Sequence, residues 1–208
     1  KRRASYRVTI TDARGIVVLR TSNPRVYGDD QSGQQLVRAV IERHAPVSAT
    51  VVIPHDELVL TSPELARRAT IRVVPTEMAR PRTGQVINAG MALKAAAPVF
   101  DYEHRFIGVV YGGVLLNRNH EIVDRIKQTV FQGLQYRGRD MGTATIFLDD
   151  VRIATNVLND DGSRAIGTLA AAAVHDTVVG RGRKWIHRAY VVHDWRITAY
   201  EPIRDYRG

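Results

Sequence analysis

Hydrogen-bonding and charged side chains interrupt the otherwise apolar stretch "TATIFLDDVRIATNV" at residues 143–157. Thr143–Leu148 reads as a short strand, Asp149-Asp150 as a tight turn and Val151–Val157 as the returning strand. A purely structural hairpin would bury an aliphatic face, but here Thr145, Arg152, Thr155 and Asn156 break it. Successive strand side chains face opposite sides. One parity collects Thr143, Thr145 and Phe147, and the other collects Ala144, Ile146 and Leu148. Nearer the end, "WIHRAYVVHDWRITAYEPIRD" reads as a strand, a turn at His193-Asp194 and a second strand. Its polar residues Arg188 with Tyr190, and Thr198 with Tyr200, extend the same parity. The pattern predicts one greasy face and one polar-lined face. A buried polar group left unpaired costs about 1–3 kcal/mol, so the set must pair internally or with something bound.

A small anion meets that need. Arginine presents a planar fork that matches a carboxylate. Threonine and tyrosine hydroxyls supply further donors, and Trp185 or Trp195 can wall a pocket. The candidate ligand-binding residues are Arg188, Tyr200, Tyr190, Thr145, Arg152, Thr198 and Trp185, with Arg188 and Tyr200 leading. A rival pocket in the first half uses Arg67 and Arg68, beside an apolar helix face, with Tyr111 on an inner strand. Bland roles are available to the same residues. Arg152 sits just after a turn, Thr155 and Asn156 can cap a loop, and Tyr190 and Tyr200 can pack across strands.

Other chemistry finds little support. The sequence holds no nucleophile elbow, no HExxH, no phosphate loop and no dinucleotide glycine fingerprint. No enzyme activity, cofactor or metal is therefore expected. His187 and His193 lie six residues apart, but no third ligand with zinc spacing accompanies them. Asp149, Asp160 and Asp161 fit turns better than a calcium loop. With no cysteine, disulfides and thiolate metal sites are excluded.

The net charge is +9. Four lysines (Lys1, Lys94, Lys127 and Lys184) leave 26 of the 30 basic residues as arginine. The arginines are spread along the chain and are not interleaved with stacking aromatics, so no nucleic-acid partner is expected. Attraction of small anions or anionic headgroups fits the charge equally well. No apolar run approaches the ~18 residues that span a membrane. Both ends, "KRRASYR" and "RDYRG", read as cuts within a longer chain.

The elements that must position these residues follow from periodicity. Residues 6–10 and "IVVLRT" form strands around the turn "TDARG". Leu36, Val37, Val40 and Ile41 mark one helix face over 33–44. Residues 49–54 read as a strand, and 62–69 as a short helix with Ser62 as N-cap and Pro63 at N1. Residues 75–89 read as a loop. A long hairpin, "GMALKAAAPVFD" and "RFIGVVYGGVLLN", precedes an amphipathic helix over 118–131 carrying Ile122, Val123, Ile126, Val130 and Phe131. "AAAAVHDTVVGRG" reads as a helix with a glycine stop. The two halves share this order, and "PVFDYEHRF" echoes in "PIRDYRG". The fold class expected is α+β, as two PAS-like modules, each an antiparallel sheet with flanking helices, joined by a helix. The boundaries are 1–117, a connecting helix at 118–139, and 140–208, the last module lacking its final strand.

The blocks "GTATIFLDDVRIATNV", "DDGSRAIGT", "RAYVV" and "TAYEPIRD", with "APVFD…FIGVVYGGVLLNRNHEIVD", resemble double Cache sensor domains of the Cache 3/Cache 2 fusion type. The resemblance covers roughly residues 90–208 through these motifs and residues 1–90 by element order. It implies the extracytoplasmic, periplasmic part of a bacterial inner-membrane receptor, a methyl-accepting chemotaxis protein or a sensor histidine kinase. It implies a small-molecule ligand, here a small carboxylate, a preceding helix of which "KRRAS" would be the end, membrane anchoring and a homodimer in the full-length receptor. A periplasmic protein-interaction module without a small ligand is the reading from another class.

Overall fold

The computed structural model describes residues 7–137 and 139–206. The described residues divide into two compact units, the first formed by 7–67, 89–115 and 204–206, the second by 68–88, 116–137 and 139–203. The stretch expected to end a helix, "KRRAS", lies outside the described residues.

The first unit is built on one antiparallel sheet. Its strands are β1 (Arg7–Asp12), β2 (Val17–Arg20), β3 (Val47–Ile53), β6 (Gly90–Phe100) and β7 (Phe106–Leu115), in the order β2-β1-β7-β6-β3. Helix α1 (Gln35–Arg43) covers one face. Its Leu36, Val37 and Val40 bury against Ala96, Val109 and Tyr111, which places the predicted apolar face on the sheet. His44 closes this helix in the left-handed conformation and its N–H reaches the Val40 carbonyl. Helices α2 (His55–Thr61) and α3 (Pro63–Ala69) follow β3. The α2 turn carries little apolar periodicity, with only Leu58 buried, which is why the sequence pattern passes over it.

The second unit departs from the expectation of a single antiparallel sheet. It comprises hairpins: β4 (Ile71–Arg72) with β5 (Val86–Ile87), β8 (Gln135–Tyr136) with β9 (Arg139–Asp140), β10 (Thr145–Leu148) with β11 (Val151–Thr155), and β12 (Trp185–Val191) with β13 (Asp194–Tyr200). The physical reason is visible at β11. Its free edge is taken by the irregular segment 165–170. The Arg152 N–H donates to the Thr168 carbonyl at 2.9 Å, and the Gly167 N–H donates to the Arg152 carbonyl at 2.9 Å. Segment 74–79 lies against the same segment, with Val74 N–H on the Gly167 carbonyl and Leu169 N–H on the Thr76 hydroxyl. Gly167 has φ +88°, and a Cβ there would meet the Arg72 carbonyl oxygen, so only glycine suits this crossing.

Helix α4 (His120–Phe131) starts at Asn119, whose side chain accepts the Ile122 N–H. Its Val123 is fully buried, whereas Ile126 and Val130 remain 43% and 64% exposed. The apolar stripe predicted for 118–131 is therefore only partly covered. Helix α5 (Ala172–Val178) packs Val174 and Val178 with Ala170, Ala171 and Ala189, flanked by Phe147, Trp185 and Tyr200.

Candidate functional site

Strand β11 is buried along its whole length, and its second residue is Arg152, 1% exposed. A bulge between Ile146 and Phe147 sets Arg152 opposite Phe147 instead of continuing the regular alternation. The guanidinium carbon lies 5.0 Å from the Phe147 ring centroid, and the Phe147 ring lies 5.8 Å from that of Tyr200. Nη1 donates to the Thr168 hydroxyl, which itself donates to the Ala165 carbonyl at 2.8 Å. Nε is buried without a partner. Among the described residues no carboxylate pairs with this arginine. Burial, only partly offset by Tyr200, pulls its pKa down to about 10, so it stays cationic at neutral pH. Burial raises the Tyr200 pKa, and the neighbouring Arg152 charge opposes that rise.

An unpaired buried cation costs several kcal/mol of desolvation. The features that suit an anion are the unpartnered Nε, the Thr168 hydroxyl beside the guanidinium, and an apolar surround from Phe147 and the α5 cluster.

The remaining predicted residues separate. In β12–β13 the register pairs Trp185 with Tyr200 and Arg188 with Ile197. Paired residues of antiparallel strands share a face. Trp185, His187, Ala189, Thr198 and Tyr200 therefore lie on the α5 side, and Arg188, Tyr190 and Trp195 lie on the other. The grouping of Arg188 with Tyr200 is thus corrected: the partner numbers sum to an odd value, so equal parity means opposite faces. Arg188 is exposed and sits 5.5 Å over the Trp195 ring. The Tyr190 hydroxyl donates to Glu77 at 3.0 Å, on the same outward side. The turn lies at Val192-His193, one residue earlier than expected, with Val192 at φ 60°. Thr198 donates to the His187 carbonyl within the hairpin. Thr145 pairs with Thr155 at 2.6 Å, so these hydroxyls satisfy each other. Trp185 is half-buried against α5, with its indole N–H unpartnered.

The rival pocket does not assemble as predicted. Arg67 is exposed, and the Arg68 Nε donates to the Asn117 carbonyl at 2.8 Å. Neither lines either of two cavities that Tyr111 lines. One, about 40 Å3, is bounded by Thr9, Leu58, Lys94, Tyr111 and Leu115 and has room for only a few waters. The other, about 350 Å3, has Val8, Val47, Ala95, Ala97 and Tyr111 in its wall and no charged side chain. Lys94 is neutralised by Glu57 at 3.0 Å. Beside it Arg20, almost fully buried, makes two 2.6 Å bonds to the Asp29 carboxylate. Burial pushes the Tyr111 hydroxyl up to about 12. Every cation of this first-unit cluster has its acid, in contrast to Arg152. Reasoning from sequence missed Lys94, Glu57, Arg20, Asp29 and Thr168, because no spacing rule connects residues brought together only by the sheet and the 165–170 segment.

Residues 114–208 match the family model described as single Cache domain 3. The match supports a Cache sensor domain in the second half of the chain. It covers less than half of the sequence and does not reach the strands and helices of the first unit that precede residue 114. Cache domains are extracytoplasmic small-molecule sensor domains. No curated protein and no solved structure matches the chain. Among the described residues, no helix is long and apolar enough to cross a membrane.

Proposed function

We propose that the chain is the extracytoplasmic sensing region of a bacterial transmembrane receptor, of the chemoreceptor type. It binds a small carboxylate in its second unit and performs no chemistry. The observation that carries this reading is Arg152, a fully buried cation with a free donor and no acidic partner among the described residues. The Cache match over the same unit supplies the sensor role, and the resemblance to double Cache receptors supplies the membrane context. Arg152 takes the place that Arg188 held in the sequence reading. A carboxylate that accepts from Nε would offset the desolvation cost of this unpaired cation.

A thermal-shift screen tests this with acetate, propionate, lactate, pyruvate, dicarboxylates and amino acids. A ligand present at about 100 times its Kd adds about 2.7 kcal/mol to the folded state. The expected result is a rise in Tm with one class of carboxylate, lost in Arg152→Met and retained in Arg188→Ala. The shift should also fade as pH drops through the ordinary carboxylate range of roughly 4–5, where the ligand loses its charge. A shift that survives Arg152→Met, or none across the screen, overturns the assignment.

A further inference from the structure

One short segment connects the Arg152 guanidinium to helix α4. At its far end, Thr168 receives the hydrogen bond from Arg152 Nη1. At its near end, Arg164 makes two 2.8 Å bonds to the Asp124 carboxylate of α4 and a third, also 2.8 Å, to the Thr155 carbonyl at the end of β11. Between them the Thr168 hydroxyl holds the Ala165 carbonyl, and the Ala165 N–H holds the Val157 carbonyl. A second staple runs parallel. Asn156, directly after β11, donates to the Val123 carbonyl of α4 at 3.1 Å and accepts the Ala144 N–H at 2.8 Å. Arg164 is held firmly in this role. The Asp124 contact raises its pKa, and the same contact lowers that of Asp124.

The helix so held leaves much of its apolar stripe uncovered. Val123 is its single fully buried residue, while Ile126 and Val130 face solvent. The Arg164–Asp124 fork and the Asn156 staple therefore add to the hold that Val123 and the half-buried Ile122 and Phe131 give it. Fork-like Arg–carboxylate pairs fix geometry as well as adding energy.

We propose that the Arg164–Thr168 segment is a coupling latch by which occupation of the Arg152 site loosens α4. The inference rests on the anion reading given above. While Arg152 donates to Thr168, as it does in this structure, the latch is set. An anion that takes over the guanidinium frees the Thr168 hydroxyl; the backbone bonds between Arg152 and residues 167–168 keep the segment on β11, and the change passes through the Thr168–Ala165 contact to the fork on Asp124. The two arrangements of Thr168 are the two states that coupling requires. Reciprocity follows: a contact that holds α4 in its latched position weakens the affinity of the site for the anion. Arg164 is a positioning residue in this scheme and does not touch the ligand.

The test uses amide hydrogen exchange of the α4 peptide, residues 120–131, in the full chain. Arg152→Met removes the bond to Thr168 without any ligand and so imitates the released latch. It should raise exchange in α4 by about fivefold or more, and the carboxylate identified by thermal shift should do the same in the unsubstituted chain. In an Arg164→Gln or Asp124→Asn background α4 should already exchange faster and respond to neither, while the anion-induced Tm shift persists. The exposed half of Asp124 makes its substitution the safer one for folding. Unchanged α4 exchange in Arg152→Met, or a response that survives both clamp substitutions, overturns the latch and leaves the anion reading standing. An anion-induced Tm shift that persists in Arg152→Met overturns that reading, and the latch with it.

Discussion

At the scale of single residues, the two units treat buried arginine in opposite ways. Arg20 in the first unit is enclosed and fully paired, with two 2.6 Å bonds to Asp29 and one to the Val26 carbonyl at 3.0 Å. Arg152 in the second unit is as deeply enclosed and has a single hydroxyl partner. The first arrangement is complete within the protein; the second leaves the Arg152 Nε unpartnered, which is the basis of the proposed ligand role. Substituting Asp29 by Asn should destabilise the protein by about 2–3 kcal/mol at pH 7, somewhat below the loss from breaking a fully buried pair, because Asp29 is 29% exposed. The Arg20 hydrogen bonds hold the Asp29 pKa below its ordinary 3.8. Its contribution is therefore present above pH 3.8 and is lost as pH falls through and below that value. Chemical denaturation of both proteins at pH 7 and pH 3 checks this: the gap between them should shrink in acid.

At the scale of elements, α4 is the informative case. Periodicity assigns it correctly, since Ile122, Ile126 and Val130 recur every fourth residue. Periodicity alone cannot say how much of that stripe is covered, because burial is decided by what other segments bring to it. Only Val123 reaches the interior completely. Val123→Ala should thus cost about 2 kcal/mol, through lost burial and a residual cavity. Val130→Ala, at an exposed position, should stay within about 0.5 kcal/mol. Urea unfolding midpoints of the two variants distinguish a packed helix from one held at its edge. Equal losses would contradict the observed burial. The β12–β13 hairpin shows a related limit. The strands themselves were legible, but their facing depends on a one-residue difference in the turn, and a one-residue change of register exchanges the two faces. Arg188 and Tyr200 were grouped for that reason, and the bulge that turns Arg152 inward leaves no composition signal.

At the scale of the whole molecule, the second unit is assembled from two distant pieces of chain. Segment 68–88 gives β4 and β5, and 73–79 supplies the acceptors for the amides of Val74's partners across the 165–172 stretch: Leu169 N–H bonds the Thr76 hydroxyl and Ala172 N–H bonds the Met78 carbonyl. Ile71 and Val73 are buried there. A fragment of residues 114–208, the span of the Cache match, should therefore lack a cooperative thermal transition and bind a hydrophobic dye, because it exposes those apolar contacts and strands buried amides. A sharp unfolding transition for that fragment would contradict this account.

The sequence by itself determined the periodic elements, the absence of the familiar catalytic and thiolate motifs, and a candidate list that held Arg152 behind Arg188 and Tyr200. These depend on neighbours along the chain, through side-chain period, turn chemistry and composition. Tertiary structure alone decided which polar groups meet. It set Arg152 beside Phe147 and Tyr200, left it without an acid among the described residues, moved Arg188 and Tyr190 to the opposite face, and gave Lys94 and Arg20 their carboxylates. The reason is physical. The cost of burying a charge is set by its surroundings in three dimensions, and those come from strand register and from segments as far apart as residues 74–79 and 165–172.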